Sequence, residues 1–261
     1  MGMFLKCLAA VGFSLLGVSA SRAFESNVPG HRIHEEITRE AAKAVGWSSK
    51  AATDLAKANA AVDAEETHLL DLRSGRPRWG SPNLETYRAE HHFDRGRGAT
   101  HAEAFRAGAG YLREERRLAL NAAAEGTRAE AILRLGRALH ALQDLFSHSD
   151  FVDLPPEDQR DCLLALWDST EVVPGSLRLT AFFPNEPRPA SPEDPEQYTH
   201  AAHSKDAARK NADASGRPGG PRTPSRYEQA HATAVRESIL FLKGIRSELP
   251  EAAWKRIVGA D

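Results

Sequence analysis

An all-α, single-domain fold follows from three features of this sequence. Ala, Leu, Glu and Arg dominate while Val and Ile are sparse, a helix-forming composition with almost no strand pattern. Apolar residues recur at helical spacing in several segments. Start and stop signals separate those segments, and neither a repeat nor a domain boundary is visible.

The elements follow in order. Residues 1–23 read as a secretory signal peptide: Lys6 precedes an apolar run from Cys7 to Val18, and Ser21-Arg22-Ala23 fits a cleavage site before Phe24, with Ala20 as a second end. The run is too short for an ordinary transmembrane helix. Lys6 stands where a lipoprotein signal needs a small residue before Cys7. The expected location is secreted or periplasmic, and residues 24–261 form the mature domain. Helices are predicted near 31–45, 48–61, 99–125, 127–149, 157–168, 203–212, 225–247 and 250–258. In the first, Ile33, Ile37 and Ala41 mark the buried face and His34 borders it. Ser48 or Ser49 can cap the second, while Thr127-x-x-Glu130 and Ser225-x-x-Glu228 read as capping boxes. Gly126 favours a tight antiparallel connection between the third and fourth helices. Residues 73–98 and 184–224 are read as non-helical, the latter a Pro-rich loop interrupted from His200 to Asn211.

Composition excludes several functions. The 261 residues carry 34 basic and 36 acidic side chains. Cleavage after Ala23 removes Lys6 and Arg22 and no acid, leaving 32 basic against 36 acidic and a net charge of −4. No basic field holds nucleic acid by phosphate charge alone. The mature chain keeps one cysteine, Cys162, inside an apolar stretch, so it has no internal disulfide and the thiol reads as a buried small hydrophobe. Histidine, at 11, is the unusual count, so any metal must be held by His and carboxylate.

The most informative segment is Leu135-Gly136-Arg137-Ala138-Leu139-His140-Ala141-Leu142-Gln143-Asp144-Leu145-Phe146-Ser147-His148. His140, Asp144 and His148 recur at i, i+4 and i+8, each step turning the face by only about 40°. Three polar groups beside an apolar face are costly unless satisfied, and a divalent cation satisfies them together. Asp144 has two oxygens and can bridge two metals. Gly136 leaves room for a neighbouring helix or an ion. Other candidate ligands are Glu90-His91-His92-Phe93-Asp94, His34, His203 with Asp206, and His231 on the last long helix; Asp63 follows Asn59 at i+4.

On these residues the sequence resembles the zinc-dependent phospholipase C / S1-P1 nuclease superfamily, and within it the Het-C-like branch. The resemblance is carried by His34-Glu35-Glu36-Ile37-Thr38-x-x-Ala41, His92-Phe93-Asp94, Ala138 to Ser149, His203-Ser204-Lys205-Asp206 and His231-Ala232-x-Ala234, over about residues 24–247. It implies an all-α fold holding two or three Zn²⁺ ions. It makes His34, Asp63, His92, His140, Asp144 and His148 ligands, with Asp144 bridging and His91 and Asp94 as rivals to His92. Family members begin with Trp, whose amine and carbonyl bind metal; here Phe24 offers the same backbone groups. The family's closing HxxxE or HxxxD is not matched, so His203 with Asp206, or His203 with His231, must substitute.

The expected chemistry is phosphodiester hydrolysis by a metal-bound water that Asp63, as ligand or base, orients. Arg95 and Arg97 are candidate phosphate contacts, although solvated arginines are the preferred reading. A phospholipase C-like hydrolase acting on phospholipid head groups is the first expectation, as a monomer. The loop at 184–224, with Leu177, Leu179, Phe182 and Phe183 before it, reads as a membrane-facing flap or, by preference, a packed or disordered loop. A single-strand nuclease ranks lower, because aromatics are only 7% and stacking platforms are few. A non-catalytic interaction module stabilised by zinc is the third reading.

Overall fold

A computed structural model describes residues 32–68, 81–82, 86–96, 99–181 and 224–259. The chain is mostly helical. Seven α-helices lie among the described residues: α1 (Ile33–Ala44), α2 (Ser49–Glu66), α3 (His101–Ala124), α4 (Arg128–Ser147), α5 (Pro156–Trp167), α6 (Arg226–Glu248) and α7 (Glu251–Val258). The only ladder among them pairs Thr67–His68 antiparallel with Ser81–Pro82. The predicted signal peptide, Phe24, the predicted helix at 203–212 and nearly all of the Pro-rich loop lie outside the described residues.

Local chemistry explains the boundaries. Ser48 Oγ accepts from Ala51 N at 3.2 Å and caps α2, and Ser225 with Glu228 forms the expected capping box on α6. Thr127 makes no side-chain cap on α4; Glu130 pairs with Arg134 at 2.7 Å instead. A capping box not expected from the sequence, Thr100 with Glu103, opens α3. Gly126, at φ 84°, makes the predicted tight reversal between α3 and α4.

Helix α4 is the axis of the fold. Every residue from Ala138 to Ser149 is buried, enclosed by α1, α2, α3 and α6. A helix buried all round must satisfy its polar residues internally, because water cannot reach them. Gly136 sets how close α2 comes: a Cβ there would lie 2.6 Å from Ala58 C and 2.7 Å from Asn59 N. The room foreseen at Gly136 is therefore filled by backbone of α2.

Two non-helical pieces complete the scaffold. The loop after the short 3₁₀ turn Ala89–His91 carries Phe93 at φ 50°, a left-handed conformation of order 1–3 kcal/mol for a bulky residue. Burial of its ring holds it there, edge-on to Phe105 and against Gly108, whose missing Cβ leaves space for it. The segment Leu177–Ala181 runs between this loop and the end of α4, with Thr180 N donating to His148 O and Arg95 N to Thr180 O, both at 2.7 Å. Leu177 and Leu179 are buried in the core, so neither forms a membrane-facing surface. Cys162 is buried as expected, and burial, with Asp158, Asp150 and Asp161 nearby, pushes its thiol up to about 12.

The close approach at Gly136 yields a paired prediction. Gly136→Ala overpacks the α2–α4 contact and costs about 1–3 kcal/mol, which lowers the melting temperature by about 2–4 °C per kcal/mol. Gly110, in α3, has open space at its Cβ position, so Gly110→Ala raises stability by about 0.5–1 kcal/mol. Thermal unfolding monitored by circular dichroism separates the two.

Candidate metal centre

Three helices and one loop converge on a buried group of imidazoles and carboxylates. Helix α1 brings His34, α2 brings Asp63, α4 brings His140 and Asp144, and the loop brings His92. His34, His140 and Asp144 have no exposure, and Asp63 is half-buried. Asp144 is the hub. Its Oδ1 lies 3.2 Å from His34 Nε2, and its Oδ2 lies 2.9 Å from His92 Nδ1 and 3.1 Å from His140 Nε2. Asp63 Oδ1 lies 3.5 Å from His140 Nε2 and 3.9 Å from His92 Nδ1. Two sets of three could each hold a cation: His34, Asp63 and His140, and His92, His140 and Asp144.

The far side of each ring decides the chemistry of the near side. His34 Nδ1 donates to Gln143 Oε1 at 2.8 Å, and His140 Nδ1 to Asn59 Oδ1 at 3.1 Å. His92 Nε2 donates to a Glu66 oxygen at 3.2 Å. These oxygens can only accept, so each ring proton sits on the outer nitrogen and each lone pair points inward. The inward nitrogens of His92 and His140 are 3.0 Å apart, a contact that needs a proton or a cation between them. A divalent ion held by either set meets that need for its members, and the imidazole and carboxylate donors suit it. The residues therefore fit a metal.

Without a cation, Asp144 draws protons onto the His34 and His92 rings in its place. Burial opposes charge on Asp144, but His140, His148 and His34 outweigh it and hold the carboxyl well below its usual range. Burial opposes charge on His92 too, yet its bonds to Asp144 and Glu66 raise its pKa well above the ordinary value. His34 is raised in the same way, burial losing to Asp144 and then Asp63. His140 is lowered, by burial first, with Asp144 and Asp63 offsetting only part.

His148 lies at the end of α4, where its Nδ1 donates to the His92 carbonyl at 2.7 Å and lies 3.4 Å from Asp94 Oδ1. It braces the loop that delivers His92, and it stands in neither set of three. Asp94 accepts from Tyr87 Oη at 2.6 Å and from Thr180 Oγ1 at 2.5 Å, and the Tyr87 ring stacks on His92 at 5.1 Å. Burial raises the Asp94 carboxyl against the pull of His148, Thr180 and Tyr87. Asp94 therefore anchors the loop from behind. His91 turns away to Glu66 Oε1, at 2.5 Å, leaving His92 as the inward histidine. His231 lies half-buried on α6, 6.0 Å from the Tyr227 ring, and stands in neither set. Arg95 is buried, contrary to the solvated reading. Arg97, His203, Asp206 and Phe24 lie outside the described residues.

Glu66, Asn59 and Gln143 hold the rings and were not singled out as site residues. Asn59, Asp63 and Glu66 follow i, i+4, i+7 spacing on one face of α2. Ending the predicted helix at 61 hid that face. Comparison with family models, curated proteins and solved structures gives no match. The geometry of the centre alone therefore carries its chemistry.

Glu66 supplies a pH prediction. Burial works against its charge, but bonds from His91 and His92 lower its pKa from 4.5 to about 2. A depressed carboxyl contributes stability above the unfolded pKa and loses it as pH falls through the folded value. In metal-free protein, wild type should lose up to about 3 kcal/mol more than Glu66→Gln between pH 5 and pH 2. Urea unfolding at several pH values measures the difference, and parallel curves would contradict it.

Proposed function

We propose that this chain is a secreted zinc-dependent phosphodiesterase of the phospholipase C type, with the helical fold of the zinc phospholipase C / S1-P1 nuclease superfamily. One observation carries the reading: three inward-facing imidazole nitrogens and two carboxylates meet in one buried place, each ring held by an acceptor behind it. The chain's resemblance to the Het-C-like branch rests on the same residues, His34, His92, His140 and Asp144. The apolar run after Lys6 supports secretion. Among the described residues no helix is long and apolar enough to cross a membrane.

In this reading His34, Asp63, His92, His140 and Asp144 would hold the zinc, Asp144 standing at the centre with His34 beside one oxygen and His92 and His140 beside the other. Zinc held there would polarise a phosphoryl oxygen, lower the pKa of water and stabilise the leaving oxygen. Asp63 is the most solvent-accessible of the five groups, so substrate enters on its side. Its carboxylate orients the attacking water and takes up its proton. Gln143, Asn59 and Glu66 keep the rings from turning as charge develops. Phosphatidylcholine-type head groups are favoured over single-stranded DNA, because the mature charge is negative and aromatic platforms are few.

A second reading has its own support. The complete burial of His34, His140 and Asp144 is what a closed, structural zinc site shows, in which metal only ties helices together. Metal content and hydrolysis of phosphatidylcholine and single-stranded DNA, for wild type and Asp144→Asn, decide between them. The phosphodiesterase reading expects bound zinc, lipid hydrolysis, and a fall in activity on the order of 100-fold or more in the variant, since a lost ligand exceeds the 10–100-fold of an outer partner. Zinc without hydrolysis favours the structural reading, and hydrolysis of DNA alone favours a nuclease. A folded protein without zinc overturns all three.

A further inference from the structure

Behind the centre lies a second, fully buried polar layer. Gln143 Oε1 accepts from His34 Nδ1 at 2.8 Å and from Asn59 Nδ2 at 3.2 Å. Gln143 Nε2 donates to Thr38 Oγ1 at 3.1 Å and to Ser238 Oγ at 3.3 Å. Asn59 Nδ2 also donates to Thr38 Oγ1 at 2.9 Å, while Asn59 Oδ1 accepts from His140 Nδ1 at 3.1 Å. Thr38, Asn59, Gln143 and Ser238 have no exposure and come from α1, α2, α4 and α6. Every amide oxygen and nitrogen in the pair is partnered.

An apolar plug would hold four helices together without the risk that a buried polar network carries. What apolar side chains cannot do is accept hydrogen bonds from two imidazoles. The two amides do so with a shared polarity: Asn59 gives its N–H to Gln143, and both turn their oxygens to a ring. The bare backbone contact at Gly136 brings Asn59 up to α4 one turn before His140.

We infer that Asn59 and Gln143 are positioning residues for the cation centre: a coupled amide pair that fixes Nδ1–H on both His34 and His140 and so commits both Nε2 lone pairs to metal. The inference rests on the metal reading of the centre. Neither amide touches the cation or substrate. The pair holds two rings from different helices at once, each amide oxygen orienting one imidazole.

Zinc affinity by chelator competition tests it, together with long-range ¹H–¹⁵N spectra that report each ring's tautomer. The full mature chain is used, as wild type, Asn59→Asp, Asn59→Leu, Gln143→Glu and Gln143→Met. The acid variants keep the acceptor oxygen and lose the N–H donors; the apolar variants lose both. Wild type should show Nδ1–H at His34 and His140. The apolar variants should bind zinc about 10–100-fold more weakly, while the acid variants stay within about tenfold of wild type even where their metal-free melting temperature is the lower. A purely structural role would instead order affinity by metal-free melting temperature, and that result overturns the inference. Wild-type affinity in the apolar variants also overturns it. If one pair of variants fails to fold, the other pair and the wild-type tautomers decide, Nε2–H at both rings being contrary. A wild type that binds zinc while its variants are indifferent sinks this inference alone; a wild type that binds none sinks the metal reading and the inference with it.

Discussion

The fold is organised around one buried charge. Asp144 sits in the last turn of α4, where that helix is enclosed on all sides, and the neighbouring imidazoles hold its carboxyl well below the usual range there. An isolated carboxylate at such a position is prohibitively costly. Three imidazoles from α1, α4 and the Phe93 loop surround it, and each must be presented by the correct nitrogen. The close crossing at Gly136, the left-handed Phe93 and the strap of Leu177–Ala181 all serve that presentation.

The layers beyond the imidazoles explain why the centre is rigid. Gln143 and Asn59 tie four helices into one hydrogen-bonded unit, and Glu66 with Asp94 ties the loop to α2 and to the strap. Polar networks of this kind stabilise only when complete. Their satisfaction here fixes the orientation of two rings and joins the four helices that carry them. A cation held by ligands from such distant parts of the chain would be linked to folding.

Much of this is legible in the sequence. His140 and Asp144 announced themselves by spacing within an apolar helix, and the structure places them with His34, Asp63 and His92. The supporting groups were harder to read. Gln143 lies inside the most informative segment, yet an amide carries no signal of its own until its partners are known. Glu66 was lost because α2 continues past residue 61 for a further turn. Thr127 looked like a cap and is not, since Glu130 finds Arg134 first. Thr100-x-x-Glu103 is an equally good pattern and does cap α3. Local motifs identify the donors; which oxygen stands behind each ring depends on helix crossings that sequence periodicity does not fix.

The most direct measurement is anomalous X-ray diffraction at the zinc edge from crystals of the mature protein grown with zinc. The account predicts one or more anomalous peaks within bonding distance of the inward nitrogens of His34, His92 and His140 and of the Asp144 carboxylate. An ordered cluster with no anomalous peak, its imidazoles hydrogen-bonded directly to Asp144, would contradict it.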